Sequence, residues 1–334
     1  MKKTIFAVDD NDLGLVTLKN ALQSSYNTLT MISVKKMMDL LEKIVPDLIL
    51  LDIQMPEIDG FEGLRILKND PKYNDIPVVL ITGTATEEIE QKALEEGAVE
   101  FVKKPFSAPI LLNRIRRIIH TEEIIRERTK DLINLQNSLV NTLATIVETR
   151  DKNTGDHTHR VYTYTKILLK EMLDANLYAE EISAKGVDTL AKSTILHDIG
   201  KIAVPDTILN KPDKLTEEEF GVIKNHVLEG SNILQNIISR SHSADFLLES
   251  QMFAKYHHER WDGTGYPYGL KGTNIPLQGR ILAIVDVFDA LSTVRPYKEA
   301  VPKEKAFEII KASGGTHFDP QITEVFYNAR HKFM

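Results

Sequence analysis

Short apolar runs alternate with amphipathic segments through residues 1–120, and no other feature narrows the possible fold so far. TIFAV, PDLILLDI, IPVVLIT and EFVKK stay apolar without a period-two break, as strands buried on both faces do. Between them Leu13–Ser24, Lys35–Ile44, Gly60–Asn69 and Glu87–Glu96 show helical spacing. The alternation predicts an α/β doubly wound, parallel, five-stranded sheet with helices on both faces. Function in such sheets gathers at the carboxyl ends of the strands. At 334 residues the chain is too long for one ordinary core, so a second domain is expected.

The strand ends carry Asp9 and Asp10, then Asp52, Thr82 and Lys104. Three carboxylates at one sheet edge repel one another without a cation, and hard oxygen ligands suit Mg²⁺. An acidic pair after a strand also serves as a helix N-cap. Taken together, VDD, LLDIQMPEIDG, LITG and FVKKPF resemble the receiver domain of bacterial response regulators, over residues 1–120. The resemblance implies that Asp52 accepts a phosphoryl group from a cognate histidine kinase. It implies that Asp9, Asp10, Asp52 and the backbone of Gln54 hold Mg²⁺, and that Thr82 and Lys104 grip the phosphoryl oxygens. Phe101 would be the aromatic that rotates on activation. Gly83 stands where alanine is commoner and should loosen the loop without removing chemistry.

Composition excludes several classes. Hydrophobic content of 42% and charged content of 27% are those of a globular chain. The absence of cysteine removes disulfides, thiolate metal sites and Cys nucleophiles, and fits a reducing compartment. A net charge of −7 argues against a general nucleic-acid binder. In MKKTIFAVDD the apolar run stops at Asp9, far short of a signal peptide's core, and no stretch is long enough to span a bilayer. A soluble, cytoplasmic protein without membrane contact is expected.

From Ala108 to Thr149 the only helix breaker is Pro109, so one long helix, or two nearly continuous ones, should join the domains, with residues 121–149 as linker. Leu111, Ile118, Ile125, Leu132, Leu139 and Ile146 recur every seven residues. The companion position is poor, with Thr121, Arg128, Leu135 and Thr142. Such a half-satisfied heptad reads either as a weak homodimer coil or as a helix packed on its own domain.

After Thr149 the strand signals vanish. Arg160–Leu173, Lys185–His197, Glu217–Ile238, Arg280–Val294 and Lys303–Lys311 look helical, so residues 150–334 should form an all-α bundle. Its polar residues are informative. His197 and Asp198 sit together in LHDIGK, with Gly200 ending the helix. His226, His257 and His258 follow, and His157 opens a helix after Gly155. Asp286 and Asp289 interrupt an apolar helix three residues apart, which is costly unless the carboxylates are paired or bound to a cation. Imidazoles and carboxylates without sulfur suit Fe, Mn, Zn, Co or Ni. Five histidines and two acids exceed one mononuclear centre, so two metals bridged by Asp198 are expected, the arrangement used for phosphoester hydrolysis.

The series HDIGK, His226, HHERWDGTGYP, Asp286 and RPY resembles the HD-GYP subfamily of HD-domain phosphohydrolases, over residues 125–334. The resemblance implies hydrolysis of cyclic di-GMP to pGpG and on to GMP. It implies His157, His197, Asp198, His226, His257, His258 and Asp286 as ligands of two divalent transition metals, Fe or Mn ahead of Zn, Co or Ni. Asp198 and Lys201 would be catalytic, with Lys201 on the scissile phosphate, and Arg295 and Lys298 would hold the other phosphate and a base. Asp262, Gly263, Gly265, Tyr266 and Pro267 would form a loop closing on the substrate, with the Tyr266 ring offered to guanine. Trp261 is assigned to packing, His120, His242 and His331 to the surface, His159 to the outer side of its helix, and His317 to a local turn. Some family members place an acid for a third metal where this chain has Asn153, so two metals are favoured. Two alternatives stay open: a binding switch with little or no catalysis, and a phosphodiesterase for another cyclic dinucleotide.

Overall fold

The computed structural model describes residues 2–83, 86–151, 156–241, 245–294 and 300–334, which fall into two compact units, Met1–Ile133 and Asn134–Met334. Arg295, Lys298, Asn153 and His242 lie outside the described residues.

In the first unit the alternation becomes β1 (Thr4–Val8), α1 (Asp12–Leu22), β2 (Asn27–Met31), α2 (Val34–Leu41), β3 (Leu48–Asp52), α3 (Gly60–Asn69), β4 (Val78–Thr82), α4 (Glu87–Glu95) and β5 (Glu100–Lys103). The strands are parallel in the order β2-β1-β3-β4-β5. β3 and β4 are buried at every position, as their unbroken apolar runs require. β2 is the strand that no apolar run announces. NTLTM lies at the sheet edge and buries only Met31 fully. One core lies on each face, around Phe6, Leu51 and Leu80 on one side and Ile5, Leu50 and Ile81 on the other.

α5 runs unbroken from Ala108 to Arg150. Its heptad positions do not share one fate. Leu111 is buried and Ile118 partly buried against the sheet, so these two belong to the receiver core and to no coil. Ile125, Leu132, Leu139 and Ile146 are exposed, while Val140 and Val147 pack in the second unit.

The second unit contains α6 (His157–Asp174), α7 (Ala179–Lys185), α8 (Val187–Ser193), α9 (Asp206–Leu209), α10 (Glu217–Lys224), α11 (His226–Ile238), α12 (Asp245–Tyr256), α13 (Leu277–Ser292), α14 (Lys303–Ala312) and α15 (Pro320–Asn328). Two expected single helices are each divided. Gly186, at φ 82°, separates α7 from α8, and 3₁₀ turns replace α-helix after Ser193. α10 and α11 part at Asn225, where the His226 ring takes the Ile223 carbonyl at 2.6 Å. α13 lies at the centre, with Ile281, Ile284, Val285 and Phe288 in the main core. Among the described residues no helix is long and apolar enough to cross a membrane.

Candidate metal centre and phosphoacceptor site

At the sheet edge, Asp9, Asp10 and Asp52 place carboxylate oxygens within 4.8 Å of one another, a group able to hold a cation. Lys104 Nζ lies 2.7 Å from Asp9 Oδ2 and 3.0 Å from Asp52 Oδ1. Burial raises the Asp52 carboxyl above its ordinary range, with Lys104 opposing. Two glycines explain the tightness of the cradle. A Cβ on Gly14 would sit 2.3 Å from the Asp9 carboxylate, and one on Gly60 would sit 2.3 Å from the Asp52 carbonyl oxygen. Gly60 therefore lets α3 start against the end of β3, and Asp59 caps it by accepting from Glu62 N at 2.8 Å. Thr82 is buried at the end of β4, and its carbonyl accepts from Lys104 N at 2.7 Å. Phe101 is turned into the core, and Gln54 lies two residues beyond the end of β3.

In the helical unit, the elements that diverge in sequence bring seven predicted ligands together. His226, His257 and His258 form one group of donor atoms within 4.8 Å, and His157, His197 and Asp198 form another. Asp198 faces both groups. Its Oδ1 lies 3.3 Å from His226 Nε2 and 3.8 Å from His257 Nε2, while its Oδ2 lies 3.3 Å from His197 Nε2. Asp286 Oδ1 is 3.6 Å from His157 Nε2.

The rings are aimed by their outer nitrogens. His197 Nδ1 reaches the Thr194 carbonyl at 2.8 Å, His226 Nδ1 that of Ile223, and His257 Nδ1 those of Phe253 and Ala254. A carbonyl only accepts, so each of these Nδ1 atoms carries a hydrogen, and each ring in its neutral form would turn an Nε2 lone pair inward. Hydrogen bonds of this kind orient metal-binding histidines. The inward Nε2 atoms of His226 and His257 then meet at 3.4 Å, lone pair against lone pair. His197 Nε2 is buried and faces Asp198 Oδ2 at 3.3 Å without well-aligned hydrogen-bond geometry. Both features are costly in a polar cavity and are relieved by a divalent cation, so the residues fit a metal.

Electrostatics sort the set. Burial, then the neighbouring His197, lowers His257 to about 3, and burial with His257 and His226 holds His258 well below its ordinary value. Burial opposes protonation of His197 too, but Asp198 overrides it and raises His197 to about 9. Burial would raise Asp198, yet Lys201 and His197 hold it well below the carboxylate range. Lys201 Nζ is clamped between Asp198 Oδ2 at 2.8 Å and Asp151 Oδ2 at 2.9 Å, and those carboxylates raise its pKa against burial.

Several supporting residues carry no motif signal. Asp289 is buried and accepts from His157 Nδ1 at 2.7 Å, with Arg160 Nε at 2.5 Å on its other oxygen. Its spacing from Asp286 marked it as polar in an apolar helix, and the structure makes it the partner that holds the His157 ring. Glu148, at the end of α5, accepts from Thr158 N at 2.6 Å and so caps the helix that His157 opens. Glu259 is buried and accepts from Tyr268 N and Leu270 N, which fixes the far side of the loop. Gly200, read as a helix stop, marks a crossing: a Cβ there would lie 1.9 Å from the His226 carbonyl oxygen.

The loop after the histidine pair folds back on it. A Cβ on Gly265 would lie 2.6 Å from the His258 carbonyl oxygen, and Tyr266 N donates to that same oxygen at 3.2 Å. Gly263 takes φ 85°. The Tyr266 ring stacks on His258, with centroids 4.7 Å apart, so one of its faces is occupied by that histidine. Pro267 follows Tyr266 in this turn. Asp262 accepts from Thr264 N and Oγ1, shaping the loop from within. Trp261, expected to pack inside, is only half-buried and joins none of the hydrophobic clusters. His159, His120 and His331 are exposed.

A parallel sheet with an acidic carboxyl edge, followed by a helical centre of histidines around a bridging aspartate, defines a receiver joined to an HD-type domain. The response regulator receiver domain matches residues 5–116 and the HD domain matches residues 121–322, so the chain belongs to the HD-domain family, coupled to a receiver. It is 37% identical to a probable cyclic di-GMP phosphodiesterase of Vibrio cholerae, over 99% of this chain and 78% of that protein. It is 38% identical to the cyclic di-GMP phosphodiesterase response regulator RpfG of Xanthomonas campestris, over 85% of this chain and 75% of that one. A cyclic di-GMP phosphodiesterase of Thermotoga maritima is 33% identical, over 97% and 89%. Among solved structures, the chemotaxis protein CheY4 of Vibrio cholerae matches 35% of this chain and 98% of its own at 25% identity, with a TM-score of 0.34.

Proposed function

We propose that this protein is a two-component output enzyme that hydrolyses cyclic di-GMP at a two-metal centre under the control of phosphorylation at Asp52. The observation that carries the reading is Asp198, whose two oxygens face two separate histidine groups. Three relatives matched over most of the chain are named for the same phosphodiester hydrolysis. Bound divalent metals would lower the pKa of a water and neutralise charge on the phosphoester. His157, His197, His226, His257, His258, Asp198 and Asp286 would hold them, Fe or Mn ahead of Zn, Co or Ni. Lys201, held by Asp151, would offer its ammonium to the scissile phosphate. Water adds to phosphorus, the ester oxygen leaves with a proton, and linear pGpG results, with GMP after a second cleavage. Asp262, Gly265 and Tyr266 would shape the rim, and Arg295 and Lys298 would meet the second phosphate.

Asp52 takes its phosphoryl group from a histidine kinase, with Mg²⁺ on Asp9, Asp10, Asp52 and the Gln54 backbone, and Thr82 and Lys104 on the oxygens. A homodimer through α5 and a cytoplasmic home, where nucleoside triphosphates are made into both signals, complete the proposal.

The test purifies the full chain without oxygen, counts metal per chain and follows cyclic di-GMP by chromatography with and without a phosphoryl mimic. Turnover that rises or falls with the mimic is expected, and two metals without turnover would refute the enzyme. Asp198→Ala should abolish hydrolysis in a folded protein, and normal turnover there would remove the bridging role. Asp52→Asn should keep intrinsic activity and lose the response to the mimic; an unchanged response places the switch elsewhere.

A further inference from the structure

None of the residues of α10 is buried, although the helix leads straight into His226. Phe220 keeps 46% of its surface exposed, an unusual state for phenylalanine. Its ring meets that of Tyr266 edge-on at 6.4 Å and 79°, and Tyr266 in turn stacks on the ligand histidine His258. Lys224 lies one turn further along the same face. Its ammonium stands 5.0 Å from the Phe220 ring and 5.8 Å from the Tyr266 ring, with no carboxylate partner among the described residues. A half-exposed aromatic ring thus carries an ammonium over one of its faces, one ring away from the candidate metal centre.

We propose that Phe220 and Lys224 form a base-reading platform, Phe220 carrying a purine of the cyclic dinucleotide and Lys224 donating to O6 and N7 of guanine. This rests on the cyclic dinucleotide reading and adds what selects the base. Tyr266 has one face covered by His258, so the open Phe220 ring is the better stacking surface. Stacking tolerates any base, because every base has a π face. The ammonium discriminates, since guanine presents two acceptors where adenine pairs N7 with an N6 donor.

The metal-loaded full chain tests this through the KM for cyclic di-GMP and the inhibition constant of cyclic di-AMP against it. Phe220→Ala should raise both by about tenfold or more, as loss of stacking does. Lys224→Ala should raise the cyclic di-GMP KM about tenfold and leave the cyclic di-AMP constant within about twofold. Phe220→Tyr and Lys224→Arg should restore wild-type values, which separates recognition from misfolding. Equal effects of Lys224→Ala on both nucleotides, or no effect of Phe220→Ala on either, overturns the platform. A wild type that turns over no cyclic dinucleotide removes the underlying reading and the platform with it.

Discussion

At the scale of single residues, the candidate metal centre is held in shape by side chains outside its set of donor atoms. Asp289 binds the outer nitrogen of His157 and is itself held by Arg160, so the ring cannot turn without breaking a buried ion pair. Asp289→Asn keeps the size and removes the charge. Metal affinity should fall by about 10- to 100-fold, the usual cost of losing such a support. Metal titration alongside circular dichroism checks this, and an unchanged affinity would reduce Asp289 to packing. His317 offers a different experiment. Burial, followed by repulsion from Arg260, lowers it to about 4, although Asp262 and Asp286 pull the other way. The folded state therefore holds it neutral while the unfolded chain protonates it near 6.5. Its contribution is constant above pH 6.5, and stability declines as pH falls from 6.5 towards 4, by of order 1–3 kcal/mol. Urea unfolding across that window should show a shallower decline for His317→Gln than for the wild type. Equal slopes would assign the acid sensitivity to other groups.

At the scale of elements, the helices that bear the ligands approach one another through glycine. The backbone at Gly200 runs against α11, where a Cβ would lie 2.4 Å from Gly230 N as well as close to the His226 carbonyl. From the opposite side a Cβ on Gly230 would meet nothing nearer than 3.2 Å. Gly200→Ala should therefore cost about 3 kcal/mol or more and loosen His226, while Gly230→Ala should cost about 1 kcal/mol. Urea midpoints of the two variants decide it, and equal costs would refute the asymmetry. Such crossings were not legible in the sequence, where Gly200 read as a helix stop and LHDIGK supplied only its ligands. The residues that converge there were legible, because carboxylates and paired histidines are conspicuous in apolar surroundings. The break at Asn225 was not, since it depends on the His226 ring competing for a helix carbonyl. β2, α12 and α15 went unmarked for a related reason. Their burial is supplied by neighbours and not by a continuous apolar run of their own.

At the scale of the whole molecule, α5 has no breaker across the division between the two units, and its exposed surface changes character along its length. Leu111, Ile115 and Ile119 are consumed by the receiver core, and Ala144 and Val147 are buried further on. Between and beside them Ile125, Leu132, Leu139 and Ile146 stay exposed at 53%, 66%, 56% and 49%, and Leu135 and Leu143 widen the stripe. The seven-residue period was plain in the sequence, but which of its members face a domain and which face water was not, because period alone does not say what lies opposite. Four exposed large aliphatics at heptad spacing supply one of the two positions that a two-stranded coil needs, and the homodimer proposed above would set them against a second copy of this chain. Burying them in a dimer would stabilise it by roughly 1.5–3 kcal/mol per fully buried side chain. Leu132→Glu with Leu139→Glu puts like charges in that seam and leaves both units' cores untouched. Sedimentation equilibrium should then show a monomer where the wild type shows a dimer. If phosphorylation at Asp52 acts through this seam, the double variant should keep a basal rate of cyclic di-GMP hydrolysis and lose its dependence on the phosphoryl mimic. A double variant that stays dimeric would move the interface elsewhere, and a monomer that still responds to the mimic would confine the switch to a single chain.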